Sequence, residues 1–152
     1  MAAFFLVIIL GSCGDNAGDS VSPTIEFLGM SNDTMSQSSL NIDSTLIRIR
    51  FEDPDGDIGG TETRNLIIID TRTGEEYDSF SLPDLPESKD GVEGEITIRL
   101  FTTCCIFPEN IPPCEAPPQY PENELILNIF MLDDAGNRSN EISTTPVVLL
   151  CN

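Results

Sequence analysis

Apolar and polar residues alternate along much of this chain, and the clearest alternation is in the segment 123–139, NELILNIFMLDDAGNRS. A period of two is typical of a β-strand with one buried face. Four apolar residues share the face predicted to be buried: Leu125, Leu127, Ile129 and Met131. The predicted strand runs directly into Asp133–Asn137, a turn rich in carboxylate and amide oxygens.

Shorter stretches of the same kind predict further strands. Alternating positions from Thr45 to Phe51 and from Ile96 to Leu100 each predict one buried face, and Ile25 and Phe27 share a face of 24–30. The apolar run Leu66–Ile69 predicts a strand that is covered on both faces. Residues 76–82 fit a short edge strand.

The segments between these stretches favour loops. Residues 31–39 are polar, and 107–121 is so rich in proline that it cannot pair within a sheet. No segment has the spacing of an amphipathic helix. Six or seven short strands separated by turn residues predict an all-β fold, an antiparallel sandwich.

Composition narrows the possible functions. The chain has 152 residues, enough for one domain, and its 26 acidic and 7 basic residues give a net charge of −19. Such a surface repels nucleic acid and anionic lipid headgroups and attracts cations. The chain contains no His, which excludes Ser-His and Cys-His nucleophilic sites and imidazole metal ligands. It also contains no Trp, so only Tyr77 and Tyr120 could stack on a sugar.

The N-terminal residues have the pattern of an export signal. The apolar run Ala2–Leu10 is too short to span a bilayer, and small residues follow it. Leu10-Gly11-Ser12-Cys13 resembles the lipobox of bacterial lipoproteins. The resemblance implies a signal peptide over 1–12, lipidation of Cys13, a flexible tether over 13–22 and a location at the bacterial cell envelope, at the outer membrane. The alternative is an ordinary cleaved signal with an incidental cysteine.

The turn Asp134-Ala135-Gly136-Asn137-Arg138-Ser139 resembles the D-x-A-G-N-x-S turn that precedes the last strand of many bacterial immunoglobulin-like domains. The resemblance extends loosely over 23–152, and fibronectin-type and cadherin-like modules share the pattern of strands. It implies an immunoglobulin-like sandwich of about seven strands. The strands that the analogy names lie at 24–30, 44–52, 65–71, 94–103, 124–132 and 142–150.

Acidic loops are the candidate site. Asp53, Asp55 and Asp57 form a D-x-D-x-D run that can direct several oxygens toward one hard cation, and Gly56 lets the chain bend. The resemblance places this run and the 133–137 turn at the same end of the sandwich. Carboxylates brought together there repel one another unless a cation, protons or solvent intervene. The predicted calcium ligands are Asp53, Asp55, Asp57, Asp133, Asp134 and Asn137. Alternatively, these residues only form turns.

Four cysteines besides Cys13 indicate disulfides, because their number is even and the domain is exported: Cys104, Cys105, Cys114 and Cys151. Zinc is disfavoured by the lack of His and of a C-x-x-C motif. A bond between the adjacent Cys104 and Cys105 would be strained, which leaves two pairings. The resemblance places the 104–114 loop and Cys151 at one end, opposite the acidic loops. The period of the 94–103 strand then favours Cys104–Cys151 with Cys105–Cys114. Reduced, buried thiols are the alternative.

Three classes of function fit these features. The first is a non-catalytic, lipid-anchored module that binds another envelope protein or a glycan but not nucleic acid. The second is a calcium-rigidified spacer or subunit of an envelope complex. The third is a hydrolase with paired carboxylates such as Asp57 and Asp134. We disfavour it because a small sandwich without Trp offers little cleft around two carboxylates.

Overall fold

Ten β-strands form the regular structure of the part of the chain that the computed structural model describes, residues 21–60, 64–85, 88 and 90–152. The predicted signal peptide, the lipobox with Cys13 and most of the predicted tether lie outside these residues. The strands are β1 (Thr24–Met30), β2 (Thr34–Ser36), β3 (Ser44–Asp53), β4 (Leu66–Asp70), β5 (Glu75–Phe80), β6 (Val92–Phe101), β7 (Glu122–Leu125), β8 (Leu127–Met131), β9 (Ile142–Ser143) and β10 (Val147–Leu150). Among the described residues there is no helix that could cross a membrane.

The longest strand, β3, lies at the centre of the first sheet, between β1 and β6. Both pairings are antiparallel, and β3 pairs with β6 along its whole length, from Ser44 opposite Phe101 to Asp53 opposite Val92. Every second residue of β3 is buried, as the sequence pattern predicts, and Ile47 and Ile49 are fully enclosed.

Two further sheets supply the other side of the core. One has the order β5-β4-β8-β9 and the other β2-β10-β7, and β2–β10 is the only parallel pair among the described strands. Only Ile126 separates β7 from β8, so one chain segment contributes to both sheets. Buried apolar side chains from all three sheets form one core. The all-β fold predicted from the alternation is therefore confirmed, with sandwich-like packing.

Several predicted elements differ in detail. The predicted strand 124–132 is interrupted at Ile126, and 142–150 is interrupted at 144–146, where the chain passes between the two sheets. The predicted polar loop 31–39 contains β2, whose Met35 is buried. The prediction that the Leu66–Ile69 strand is covered on both faces is wrong, since Ile67 and Ile69 are only half-buried.

Two regions that contain the predicted site residues lie at opposite ends of β3, which is about 30 Å long at 3.4 Å per residue. The acidic pole consists of residues 53–60 and 133–137. The disulfide pole consists of residues 102–121, Arg72 and Cys151. The two poles are separated because β3 begins at Ser44, opposite the last residue of β6, and ends at Asp53, opposite the first residue of β6.

The four cysteines form two disulfides, as predicted, but their pairing is Cys104–Cys114 and Cys105–Cys151. The favoured pairing, Cys104–Cys151 with Cys105–Cys114, is wrong. That prediction extended the period of β6 beyond its end, yet the strand ends at Phe101. Thr102 is still buried, but the inward position then shifts from Cys104 to Cys105, which is fully buried and reaches Cys151 in the core.

Candidate metal centre

The register of β3 carries a carboxylate into the core at the acidic pole. Because Ile47, Ile49 and Phe51 all point inward, the next inward position is the last residue of the strand, Asp53, whose side chain is 0% exposed. Its Oδ2 accepts a hydrogen bond from the Ile58 backbone N–H at 3.0 Å. Its Oδ1 is buried and has no hydrogen-bond partner.

A tight turn after Asp53 brings Asp57 back beside it. Gly56 has φ = 70°, and a Cβ atom there would lie 2.2 Å from the Ser88 carbonyl oxygen, so the close approach requires glycine. The carbonyl oxygen of Asp57 accepts a hydrogen bond from the Asp134 N–H at 3.2 Å, which joins this turn to the 133–137 turn. The Oδ1 atom of Asp57 is also buried and without a partner.

Asp133, which is buried like Asp53, is held by its own turn. Asn137 donates its backbone N–H to Asp133 Oδ1 at 2.7 Å and its side-chain Nδ2 to Oδ2 at 2.8 Å. The backbone N–H of Asp133 in turn donates to the Asn137 carbonyl oxygen at 3.1 Å. Asp133 is 2% exposed, and these bonds leave its carboxylate one orientation.

Four of the six predicted ligands meet. One carboxylate oxygen from each of Asp53, Asp55, Asp57 and Asp133 lies within 4.8 Å of the others, a group that could hold a metal ion. Asp134 is outside this group and exposed, and Asn137 contacts the group as a hydrogen-bond donor to Asp133. These two residues therefore have positions different from those of the four clustered carboxylates.

Burial and the negative charge of neighbouring carboxylates disfavour the charged forms of Asp53 and Asp57. Burial, and then the negative charge of Asp55, raise the pKa of Asp53 to about 6, although the Ile58 N–H opposes the shift. The pKa of Asp57 is also raised, first by burial and then by Asp133. A cation at the centre would reverse this balance, because it would neutralise charge and replace the lost solvation.

The two orphaned oxygens are the strongest indication of a ligand. A buried polar atom without a partner costs about 1–3 kcal/mol, and more if it is charged, so nearly all such atoms are paired in native proteins. Here Asp53 Oδ1 and Asp57 Oδ1 belong to the same carboxylate cluster. Oxygen ligands without nitrogen or sulfur suit a hard cation such as calcium or magnesium.

A cavity of about 500 Å³ adjoins the cluster and shares Asp55 and Asp57 with it. Its wall also includes Asp84, Leu85 and Ser88, from the connection between β5 and β6. The sequence pattern predicts only a loop for this connection, and no motif in it indicates a site. Its position depends on close backbone approaches, such as that of Ser88 to Gly56.

A comparison with known protein families, curated proteins and solved structures found no match to this chain.

Proposed function

We propose that this protein is a non-catalytic, calcium-rigidified module of the immunoglobulin-like class, anchored by a lipid on Cys13 at the bacterial cell envelope. Its partner is another envelope protein or a glycan. The observation that carries the proposal is the cluster of four carboxylates with two orphaned oxygens at the acidic pole.

Calcium fits the cluster better than magnesium. Three ligands come from the short 53–57 segment and one from a separate turn. Such a set tolerates the irregular coordination of calcium more readily than the strict octahedron of magnesium.

The arrangement of the sheets supports the immunoglobulin-like class. β3 is central in one antiparallel sheet, and β4 and β8 are central in another whose buried residues share the same core. The two acidic loops lie at the same end of the strands, as the resemblance implies. Residues 107–121 form no strand within this core.

The two disulfides support export, because disulfides form in oxidising compartments. The predicted tether leads to Thr24, which pairs with Glu52, next to Asp53. The start of β1 is also held by Asn140, whose side chain exchanges two hydrogen bonds with the Ile25 backbone. In the anchored protein, the calcium site therefore rigidifies the pole to which the tether is attached.

Thermal unfolding in calcium and in chelator tests the metal site. At 100 times its dissociation constant, calcium should stabilise the fold by about 2.7 kcal/mol, which raises the melting temperature by roughly 5–10 °C. Asp53→Asn should remove most of this rise. The matched control is Glu52→Gln, which removes one charge from the adjacent, exposed position of β3 and should keep the rise. A wild-type melt that does not respond to calcium at constant ionic strength would refute the site.

Fractionation of expressing cells tests the anchor. The full chain should partition with membranes, and Cys13→Ser should release it or leave an uncleaved precursor. Unchanged membrane partition and processing in Cys13→Ser would refute lipidation and would leave the calcium site unaffected.

A further inference from the structure

Calcium at the acidic pole would have coordination positions that the four carboxylates do not fill. Calcium takes six to eight oxygens. Each of Asp53, Asp55, Asp57 and Asp133 brings one carboxylate oxygen to the group, and hydrogen bonds from Ile58 and Asn137 occupy part of the remaining capacity of Asp53 and Asp133. About four ligands therefore come from the clustered side chains, and the remaining positions belong to water or to an external ligand.

The adjoining cavity gives an external ligand access to these positions. It shares Asp55 and Asp57 with the cluster, whereas Asp53 and Asp133 are buried and are not part of its lining. Three glycines, Gly56, Gly59 and Gly60, line it and present backbone instead of side chains. The cavity of about 500 Å³ is within the range of small-molecule sites, which are about 300–1,000 Å³.

Charge selects the chemistry of the ligand. A doubly charged ion neutralises only half of the charge of four carboxylates, and Asp84 and Asp134 add two more at the cavity wall. Carboxylates and phosphates are therefore repelled. A neutral hydroxyl group has both properties that the site requires, since its oxygen can coordinate calcium and its proton can be donated to a carboxylate.

We propose that the calcium ion binds a glycan through a vicinal diol seated in this cavity. Two adjacent hydroxyl oxygens fill two coordination positions, and their protons are donated to the carboxylates around the ion. Asp84 and Asp134 accept hydrogen bonds from the other hydroxyls of the sugar ring, and the Ser88 hydroxyl can accept or donate one. The residues described as lining this cavity include no aromatic ring that could stack on the sugar, and Tyr77 lines a separate cavity at the disulfide pole. The contacts to the sugar are therefore polar. The inference rests on the proposed calcium site and names its ligand class.

Ligand-observed NMR tests the proposal with a panel of the methyl glycosides of mannose, galactose and fucose at millimolar concentration. Saturation should pass from the calcium-loaded protein to at least one glycoside and disappear with chelator. Tetrahydropyran-2-methanol, a similar ring without a vicinal diol, is the matched control and should receive none. No transfer to any glycoside while the melting rise shows calcium bound would overturn the diol ligand alone, whereas absence of the rise would overturn the metal site as well.

Two variants separate the ion from its ligand. Asp84→Asn lies in the cavity wall outside the four clustered carboxylates, so it should keep the calcium-induced melting rise. It should weaken glycoside binding about tenfold, the loss expected for one hydrogen bond to a charged group. Asp53→Asn should lose both. Glycoside binding that persists in chelator, or that Asp84→Asn leaves unchanged, would overturn the proposal. Lysine amide is added to the panel as a positively charged competitor, and tighter binding of lysine amide than of every glycoside would also overturn the proposal.

Discussion

The two ends of this molecule are stabilised in opposite ways. At the disulfide pole, Cys105 and Cys151 join two buried positions that are 46 residues apart, and Cys104–Cys114 closes the adjacent loop. The Arg72 guanidinium, whose side chain is 12% exposed, pairs with Asp70 at 2.7 Å and donates to Asn123 at 2.7 Å. Every one of these contacts is supplied by the chain itself.

The acidic pole lacks such internal compensation. Its four clustered carboxylates have charges of the same sign, and the buried oxygens Asp53 Oδ1 and Asp57 Oδ1 have no partner. Bonds from Ile58 and Asn137 orient the carboxylates without neutralising them. The disulfide pole is therefore complete when the chain folds and oxidises, whereas we propose that the acidic pole is completed by a cation.

Removal of the buried disulfide should have the largest effect. Cys105→Ala with Cys151→Ala should lower the free energy of unfolding by about 4 kcal/mol, because the bond closes a long loop in the unfolded chain. The matched pair is Cys104→Ala with Cys114→Ala, whose short loop predicts a loss of about 3 kcal/mol. Chemical denaturation measures both. An equal or reversed ranking would contradict the greater importance of the buried bond.

Loss of the arginine at the disulfide pole should be the next largest effect. Arg72→Leu leaves Asp70, whose side chain is 9% exposed, as an unpaired buried charge, which should cost about 3 kcal/mol. Arg50→Leu is the control, because the ion pairs of Arg50 with Glu26 and Glu95 are exposed and contribute little. Equal melting temperatures of the two variants would show that the Arg72 network does not stabilise this pole.

Chelation should loosen the acidic pole more than the disulfide pole. Amide hydrogen exchange at Ile58, Asp134 and Asn137 should accelerate by up to about 100-fold when calcium at 100 times its dissociation constant is removed. In chelator, the Cys105 and Cys151 amides should still exchange more slowly than these three, since their N–H groups bond to Gln37 and Pro121 near the disulfides and they are exposed only when the whole fold opens. Equal exchange rates at both ends in chelator would mean that removal of the ion does not loosen one pole locally.

The pH dependence of the calcium-free protein should have an unusual sign. The folded pKa of Asp53 is about 6, above its ordinary value of 3.8, so between these two pH values the folded state retains a proton that the unfolded state has lost. The stabilisation from this group is fully present below the unfolded pKa and is lost as pH rises through about 6. Melts in chelator should show wild type losing more stability than Asp53→Asn between about pH 4 and 7. Parallel curves for the two proteins would contradict the raised pKa.

The smallest effect is expected for Asp134→Asn. Because Asp134 is exposed and outside the four clustered carboxylates, this variant should retain most of the calcium-induced rise in melting temperature. Its backbone N–H, which bonds to the Asp57 carbonyl, is unaffected by the change. A loss as complete as that of Asp53→Asn would place Asp134 among the ligands, as the sequence alone predicted.

The sequence by itself determined the features that depend on near neighbours. Alternation from Thr45 to Phe51 specified which face of β3 is buried, since side-chain direction has a period of two in any strand. The D-x-D-x-D run and its glycine indicated an acidic turn, and the even number of cysteines indicated two disulfides. These properties follow from local backbone geometry and composition.

Only the tertiary structure decided which distant residues meet. Cys105 instead of Cys104 faces Cys151 because β6 ends at Phe101, and the period of a strand does not extend beyond its last pair. Asp133 joins the cluster and Asp134 does not, because the turn bonds to Asn137 fix its direction. Asp84 and Ser88 reach the cavity through the connection between β5 and β6, whose course depends on contacts with residues far away in the chain. Such contacts depend on sheet register and loop packing, which short-range periodicity does not encode.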